Sequence, residues 1–448
     1  MNRLIDFRAG QPAGVPTAGA GGAAAEEAFG LPLARRIPPA RDDADRLARL
    51  RLARSENVGP RSFLHLIARF GDAAAALASL PAMAQRGGRD GYAACPAATA
   101  EDEHARGIAA GARLVTLGDD DYPERLLSIA SPPPVLWVAG NNDCVAGSAV
   151  AVVGARNASA LGIRLARRMA RGLAEAGECV VSGLARGIDT AAHEGALDAR
   201  HDGISPVAPG RTVAVLPGGI DIAYPAENGI LAARIVAEGG LLVAECAPGT
   251  EPTARHFPRR NRLVSGLADG VVLVEAASRS GSLITARTAL EQGREVMACP
   301  GSAEDPRAGG CNALIRDGAA LVRNPRDVLD ALSTVRLRGF AEEPDPFVPA
   351  GAGIGMGRAL PGSLPGSLPG ALDGDGPTGV EADDDALPAR VLALLSHAPV
   401  ESDDLARAAG VTPCTLAQAL VDLELAGRIE MVAGGRVQAL VDSTGDPH

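Results

Sequence analysis

The chain contains no lysine, so all 43 of its basic side chains are arginine. That absence excludes a Schiff-base lysine and the lysine of a nucleotide-binding P-loop, and leaves guanidiniums as the permanent side-chain cations. Aromatics are almost missing as well, with one Trp, three Tyr and seven Phe in 448 residues. Apolar runs such as Val271 to Val274 are strand-sized, far short of the roughly 20 residues of a membrane-spanning helix. The cysteines Cys95, Cys144, Cys179, Cys246, Cys299, Cys311 and Cys414 form no CxxC pair, which predicts buried thiols and argues against a disulfide framework or zinc site. There is no nucleophile-elbow serine, no GxGxxG opening a first helix and no metal-ligand spacing, so no metal or cofactor is expected. The start of the chain lacks a basic stretch followed by an apolar one and does not read as a secretory signal, which places the protein in the cytoplasm.

A net charge of −11 argues against nucleic acid until it is divided along the chain. Residues 341 to 385 hold nine acids against one Arg, and residues 386 to 448 hold eight against four, so the remainder is close to neutral. Length predicts two or three domains at about 150 residues each. Residues 1–40, rich in Ala, Gly and Pro, read as a disordered arm. Residues 41–110 read as a helical module. Its break at Asn57, Val58, Gly59 and Pro60 is either a helix-hairpin-helix turn facing a DNA phosphate or a packing corner. Residues 334–385, with Pro-Gly-Ser-Leu repeated at 361 and 365, read as a flexible acidic linker. Residues 386–441 read as a winged helix closed by a Gly434, Gly435 hairpin. Its third helix carries Asp422 and Glu424 and no Arg, which favours a protein-contact or dimer-stabilising role over duplex binding.

Residues 111–333 alternate uninterrupted apolar runs with amphipathic segments. Strands are predicted at 149–153, 179–181, 212–216, 241–244, 271–274 and 296–298, and helices at 161–176, 188–197, 228–238 and 283–292. The pattern is that of an α/β fold, a Rossmann-like doubly wound parallel sheet, with ligands at the carboxyl ends of the strands. Gly-rich turns follow four of those strands: Gly154, Ala155, Arg156; Gly183 to Gly187 with Arg186; Pro217 to Gly219; and Ser280, Gly281, Ser282. Glycine lets a backbone approach a ligand, and amides at a helix start attract phosphate, so together these turns predict phosphate binding.

The segment Arg255 to Arg262 gathers four arginines, Phe257 and Asn261. Guanidiniums neutralise phosphates, a ring stacks on a base and Asn reads a base edge, so Phe257, Arg259, Arg260 and Asn261 suit a single strand; the plainer reading is a solvated loop. Asp189, His193, Asp221, Glu245 and Glu275 are the candidate acid-base groups. Asp189 and His193, four residues apart on one helix, either pair as orienter and base or serve as a cap and a structural histidine.

These residues also form an ordered series. Gly154 to Arg156, SGLARGIDTAAH from Ser182, PGGIDIAYPAEN from Pro217, FPRRNR from Phe257, EAASRSGSLITA from Glu275 and EQGREVMACPG from Glu291 resemble the DNA-processing protein A family, also called Smf. DYPERL at 121–126 and PPVLWVAG at 133–140 resemble its lead-in. The resemblance implies a homodimeric, non-enzymatic recombination mediator that binds and protects single-stranded DNA during natural transformation. It also implies loading of RecA recombinase past single-strand-binding protein. It assigns the DNA pocket to Gly154, Arg156, the Gly183 to Gly187 turn, Phe257, Arg260 and Asn261, with Ser280, Gly281 and Ser282 as phosphate cradle. The chain departs from the family pattern at Ala155, at Ala254 and in an insertion around His201 to Arg211. The competing reading is a nucleotide phosphoribohydrolase on the same fold, although Gly219 is followed by Ile220, Asp221 and Ile222 and not by that family's PGGxGTxxE. A third, a transcriptional regulator, depends on the acidic winged helix binding duplex.

Overall fold

The computed structural model describes residues 33–199, 211–341, 386–432 and 436–440. The arm before residue 33, the insertion around residues 201–210, the repeat region between 342 and 385 and the Gly434, Gly435 hairpin lie outside the described residues.

Among the described residues a 3-10 turn at Leu33–Arg36 leads into four α-helices: α1 Asp43–Arg54, α2 Pro60–Phe70, α3 Ala73–Arg86 and α4 Ala97–Ala109. Asp42 and Asp72 cap α1 and α3 by accepting from the Asp45 and Ala75 amides, and Pro60 opens α2, where its missing N–H costs nothing. The α/β region follows as β1 Arg113–Thr116, β2 Val135–Gly140, β3 Ala149–Val153, α5 Ala160–Glu175, β4 Cys179–Ser182, α6 Ile188–Leu197, β5 Thr212–Leu216, α7 Gly229–Ala237 and β6 Leu241–Ala244. It continues through α8 His256–Gly266, β7 Gly270–Leu273, α9 Ser282–Glu291, β8 Glu295–Ala298, α10 Gly309–Arg316, β9 Ala320–Leu321 and α11 Pro325–Ala341. Last come α12 Leu387–Leu394, β10 Val400–Glu401, α13 Ser402–Ala409, α14 Pro413–Leu425, β11 Ile429–Val432 and β12 Arg436–Ala439.

The main sheet runs β1-β2-β6-β5-β4-β3-β7-β8-β9. From β6 to β9 all neighbours are parallel, and the fully buried apolar strands expected of a sheet covered on both faces are present. β1 and β2 add an antiparallel edge to β6, so the sheet is mixed where the sequence predicted a parallel one. The strand order reverses at β3 and β7: the chain leaves β3 toward β4 on one side and leaves β7 toward β8 on the other. The loops after these two strands therefore diverge and leave a crevice at the carboxyl edge.

The helical module is seated on the antiparallel edge. Trp137 of β2 is fully buried, and its indole N–H donates to Glu103 Oε1 at 2.9 Å, while Arg54 holds the same carboxylate. The winged helix keeps its own core around Leu405, Leu416, Leu423 and Val437, but Val421 and Leu425 of α14 join the core that contains Phe63, Leu64 and Leu80. Two ion-pair bonds from Arg86 to Asp422, at 3.1 and 3.3 Å, and a bond from Asn57 Nδ2 to the Leu425 carbonyl fix that seat. Among the described residues no single helix is long and apolar enough to cross a membrane. Five of the seven thiols are buried, Cys246 is half-buried and Cys414 is exposed.

Candidate nucleic-acid interface

The crevice between the β3 and β7 loops is a cleft of about 750 Å³. Gly154 to Asn157 form one wall and Ala277 to Ser282 the other, with Phe257, Pro258, Arg260 and Asn261 of α8 along a third side. The basic segment is thus a helix and not a loop; Pro258 is accommodated because it stands in the first turn, where no intrahelical N–H is needed. The Arg156 guanidinium lies over the Phe257 ring, 4.5 Å from its centroid, and Tyr224 meets the same ring edge-on at 5.5 Å.

Arg260 differs from Arg156. It is only 6% exposed, its guanidinium packs on Gly183, and its Nη1 is 3.7 Å from Asp189 Oδ2. A Cβ on Gly183 would coincide with that guanidinium. Burial pushes the Asp189 carboxyl up, against the opposing pull of Arg260 and of the Ala185 amide. Arg260 is therefore a buried cation at the back of the cleft, and Arg156 is the exposed one at its mouth. Gly187, at φ +77°, lets the turn after β4 touch the Ala155 and Arg156 carbonyls, where a side chain would collide.

His193 sets the same turn from beneath. Thr212 Oγ1 donates to the Val180 carbonyl at 2.7 Å, so His193 Nδ1–H donates to Thr212 Oγ1 at 2.8 Å and Nε2 accepts from the Leu184 amide at 3.3 Å. Burial pushes this imidazole down to about 3, so it is neutral and holds Leu184 in its left-handed conformation, φ +55°. Asp189 and His193 consequently do not pair with each other. The remaining acid candidates also serve structural partners: Asp221 accepts from the Gly249 amide at 2.7 Å, Glu245 pairs with Arg262, and Glu275 accepts from Ser159 N at 2.9 Å at the start of α5.

Ser280, Gly281 and Ser282 line the cleft at the start of α9, but the Ser282 amide already donates to Ser280 Oγ at 3.3 Å, and the two hydroxyls are 2.7 Å apart. What this corner offers a ligand is chiefly hydroxyl groups. Arg186 points to the surface, paired with Glu227 at 2.6 Å. Arg259 faces a separate cavity of about 360 Å³ shared with Arg54, Glu245 and Cys246. Asn157, Arg279 and Arg307 line the cleft without having been singled out from the sequence. The signal for Arg279 lay inside the Ser278 to Ser282 turn and that for Asn157 beside the Gly154 to Arg156 turn, whereas Arg307 reaches the cleft through folding alone.

Residues 113–333 match the family model for DNA recombination-mediator protein A, residues 43–105 that for a DprA-like N-terminal HHH domain, and residues 376–435 that for a DprA winged helix domain. The DNA processing protein DprA of Bacillus subtilis is 40% identical over 223 residues, which are 50% of this chain and 72% of that protein. The chain belongs to the DNA recombination-mediator protein A family. Protein Smf of Escherichia coli is 43% identical over 219 residues, 49% of this chain but only 56% of that protein's length. The X-ray structure of DprA from Streptococcus pneumoniae superposes with a TM-score of 0.50 at 34% identity, covering 63% of this chain and 95% of that one.

Proposed function

We propose that the protein is a single-stranded-DNA-binding recombination mediator that takes the strand into the cleft between β3 and β7. The observation that carries this reading is the Arg156 and Phe257 stack at the strand-order reversal, where an exposed cation and an aromatic surface meet Gly-rich backbone. Arg156 neutralises a phosphate, Phe257 stacks a base, and Asn261 with the Ser280 and Ser282 hydroxyls supplies further polar contacts. Gly154, Gly183 and Gly187 keep the backbone close enough for these to converge. In this reading the protein is not an enzyme, works in the cytoplasm as a homodimer, protects incoming DNA in natural transformation and hands it to RecA against single-strand-binding protein. Membership of a recombination-mediator family supports the reading. The separate arm (1–40), helical module (41–110), DNA-binding domain (111–333), linker (334–385) and winged helix (386–441) are part of the same proposal.

The test is fluorescence anisotropy of a labelled oligo-dT against a duplex of equal length across a salt series. Tight, salt-sensitive preference for the single strand is expected. Absence of binding at low salt would overturn the reading and turn attention to nucleotide hydrolysis.

A further inference from the structure

A second groove, of about 600 Å³, opens beside the cleft. One wall is the outer side of α5, where Leu161, Arg164, Leu165 and Arg168 recur at one-turn spacing; the other is made by Pro300 and Val322, which follow β8 and β9. Both walls start at the carboxyl edge of the sheet. Asn157 lines the cleft and Ser159 caps α5, so the groove begins where the cleft ends.

The charges in this groove are unevenly satisfied. Arg167 pairs with Glu194 and Asp198, Arg171 with Glu175, and Arg323 with Asp327. Arg164 and Arg168 are exposed and make no ion pair among the described residues. Further along the same helix an acid stands one turn from a base, as Glu175 does from Arg171. Here the residues one turn from Arg164 are Ala160 and Arg168, so two like charges stand about 6 Å apart along the axis and repel. An anion lying across both relieves that repulsion. Leu161 between them and the cleft leaves 67% of its surface exposed, which supplies apolar contact in the same groove.

Alternating fixed cations and apolar surface suit a chain whose phosphates and base faces alternate, without sequence preference. The geometry points to a second subsite, in which the single strand leaving the cleft lays its backbone across Arg164 and Arg168. This rests on the single-strand reading of the cleft.

The experiment compares a short oligo-dT of about 5 nucleotides, enough for the cleft, with one of about 20, using the full chain. Arg164→Ala with Arg168→Ala is expected to leave the short oligo unaffected, to weaken the long one at least tenfold and to lower its salt slope by about 1.4, for two lost contacts. Arg234→Ala with Arg316→Ala, which removes paired arginines that line neither the groove nor the cleft, is expected to change neither, and unchanged melting temperatures show that both variants fold. If Phe257→Ala weakens binding of both oligos while the Arg164 and Arg168 variant binds the long one normally, the groove inference falls alone. If the unaltered chain binds neither oligo, the cleft reading fails and takes the groove with it. Loss of poly-glutamate binding with intact long-oligo binding would assign the groove to an acidic protein segment and overturn the inference.

Discussion

The Arg156 guanidinium stands 4.5 Å from the centroid of the Phe257 ring, which makes the cation and the stacking surface of the cleft a single unit. Phe257→Ala is expected to cost about 1 to 3 kcal/mol of single-strand binding, with Phe257→Trp retaining most of it. Arg156→Ala is expected to reduce the salt slope by about 0.7 and to weaken all sequences alike. Salt-series anisotropy reads both; an unchanged slope would remove Arg156 from phosphate contact.

Arg260 is expected to behave differently because it is buried beside Asp189. Arg260→Ala leaves a buried carboxyl without its cation and is expected to destabilise the fold by about 3 kcal/mol. Gly183→Ala drives a methyl into the guanidinium and is expected to cost about 1 to 3 kcal/mol while displacing Arg260. Urea denaturation separates this from a binding defect. Full stability with weakened binding would instead mark Arg260 as a direct phosphate ligand.

His193 links stability to acidity. Its pKa lies near 3 in the folded chain against an ordinary 6.5, so the unfolded chain takes the proton more readily. Its contribution is complete above about pH 6.5 and is lost as pH falls toward 3, at up to about 1.4 kcal/mol per unit. Between pH 7 and pH 5 the loss is about 2 kcal/mol. His193→Gln cannot titrate, and its denaturation free energy is expected to depend less on pH over that window. Parallel pH curves for the two proteins would contradict the buried neutral assignment.

Asp422 and Arg86 tie the third helix of the winged helix to the helical module. Arg86→Ala is expected to lower the hydrogen-exchange protection of α14 while leaving that of β3 to β5 intact. Equal protection in both proteins would show that Val421 and Leu425 suffice to hold the seat.

The strands were legible because they are uninterrupted apolar runs: 149–153 and 212–216 appear in the structure with the bounds read from the sequence. β1 and β2 were not, because nothing local in Arg113–Thr116 or Val135–Gly140 announces that they pair antiparallel with each other and that β2 pairs antiparallel with β6. α11 also runs to Ala341, past the point where the apolar period fades after Leu332. At the site, residue types were readable but their depth was not. Arg259, Arg260 and Arg262 look equivalent in sequence, yet one turn of helix buries Arg260, exposes Arg259 to another cavity and ties Arg262 to Glu245. The roles of His193 and Asp189 depend on Thr212, Leu184 and Arg260, which only the fold brings near.

The chain has a single tryptophan, and Trp137 is buried with its indole N–H on Glu103, where the helical module meets the sheet. Intrinsic fluorescence excited at the red edge therefore comes from one seam of the molecule. A shift in that emission when DNA or a protein partner is added reports movement of the module against the sheet, with no label and no engineered residue.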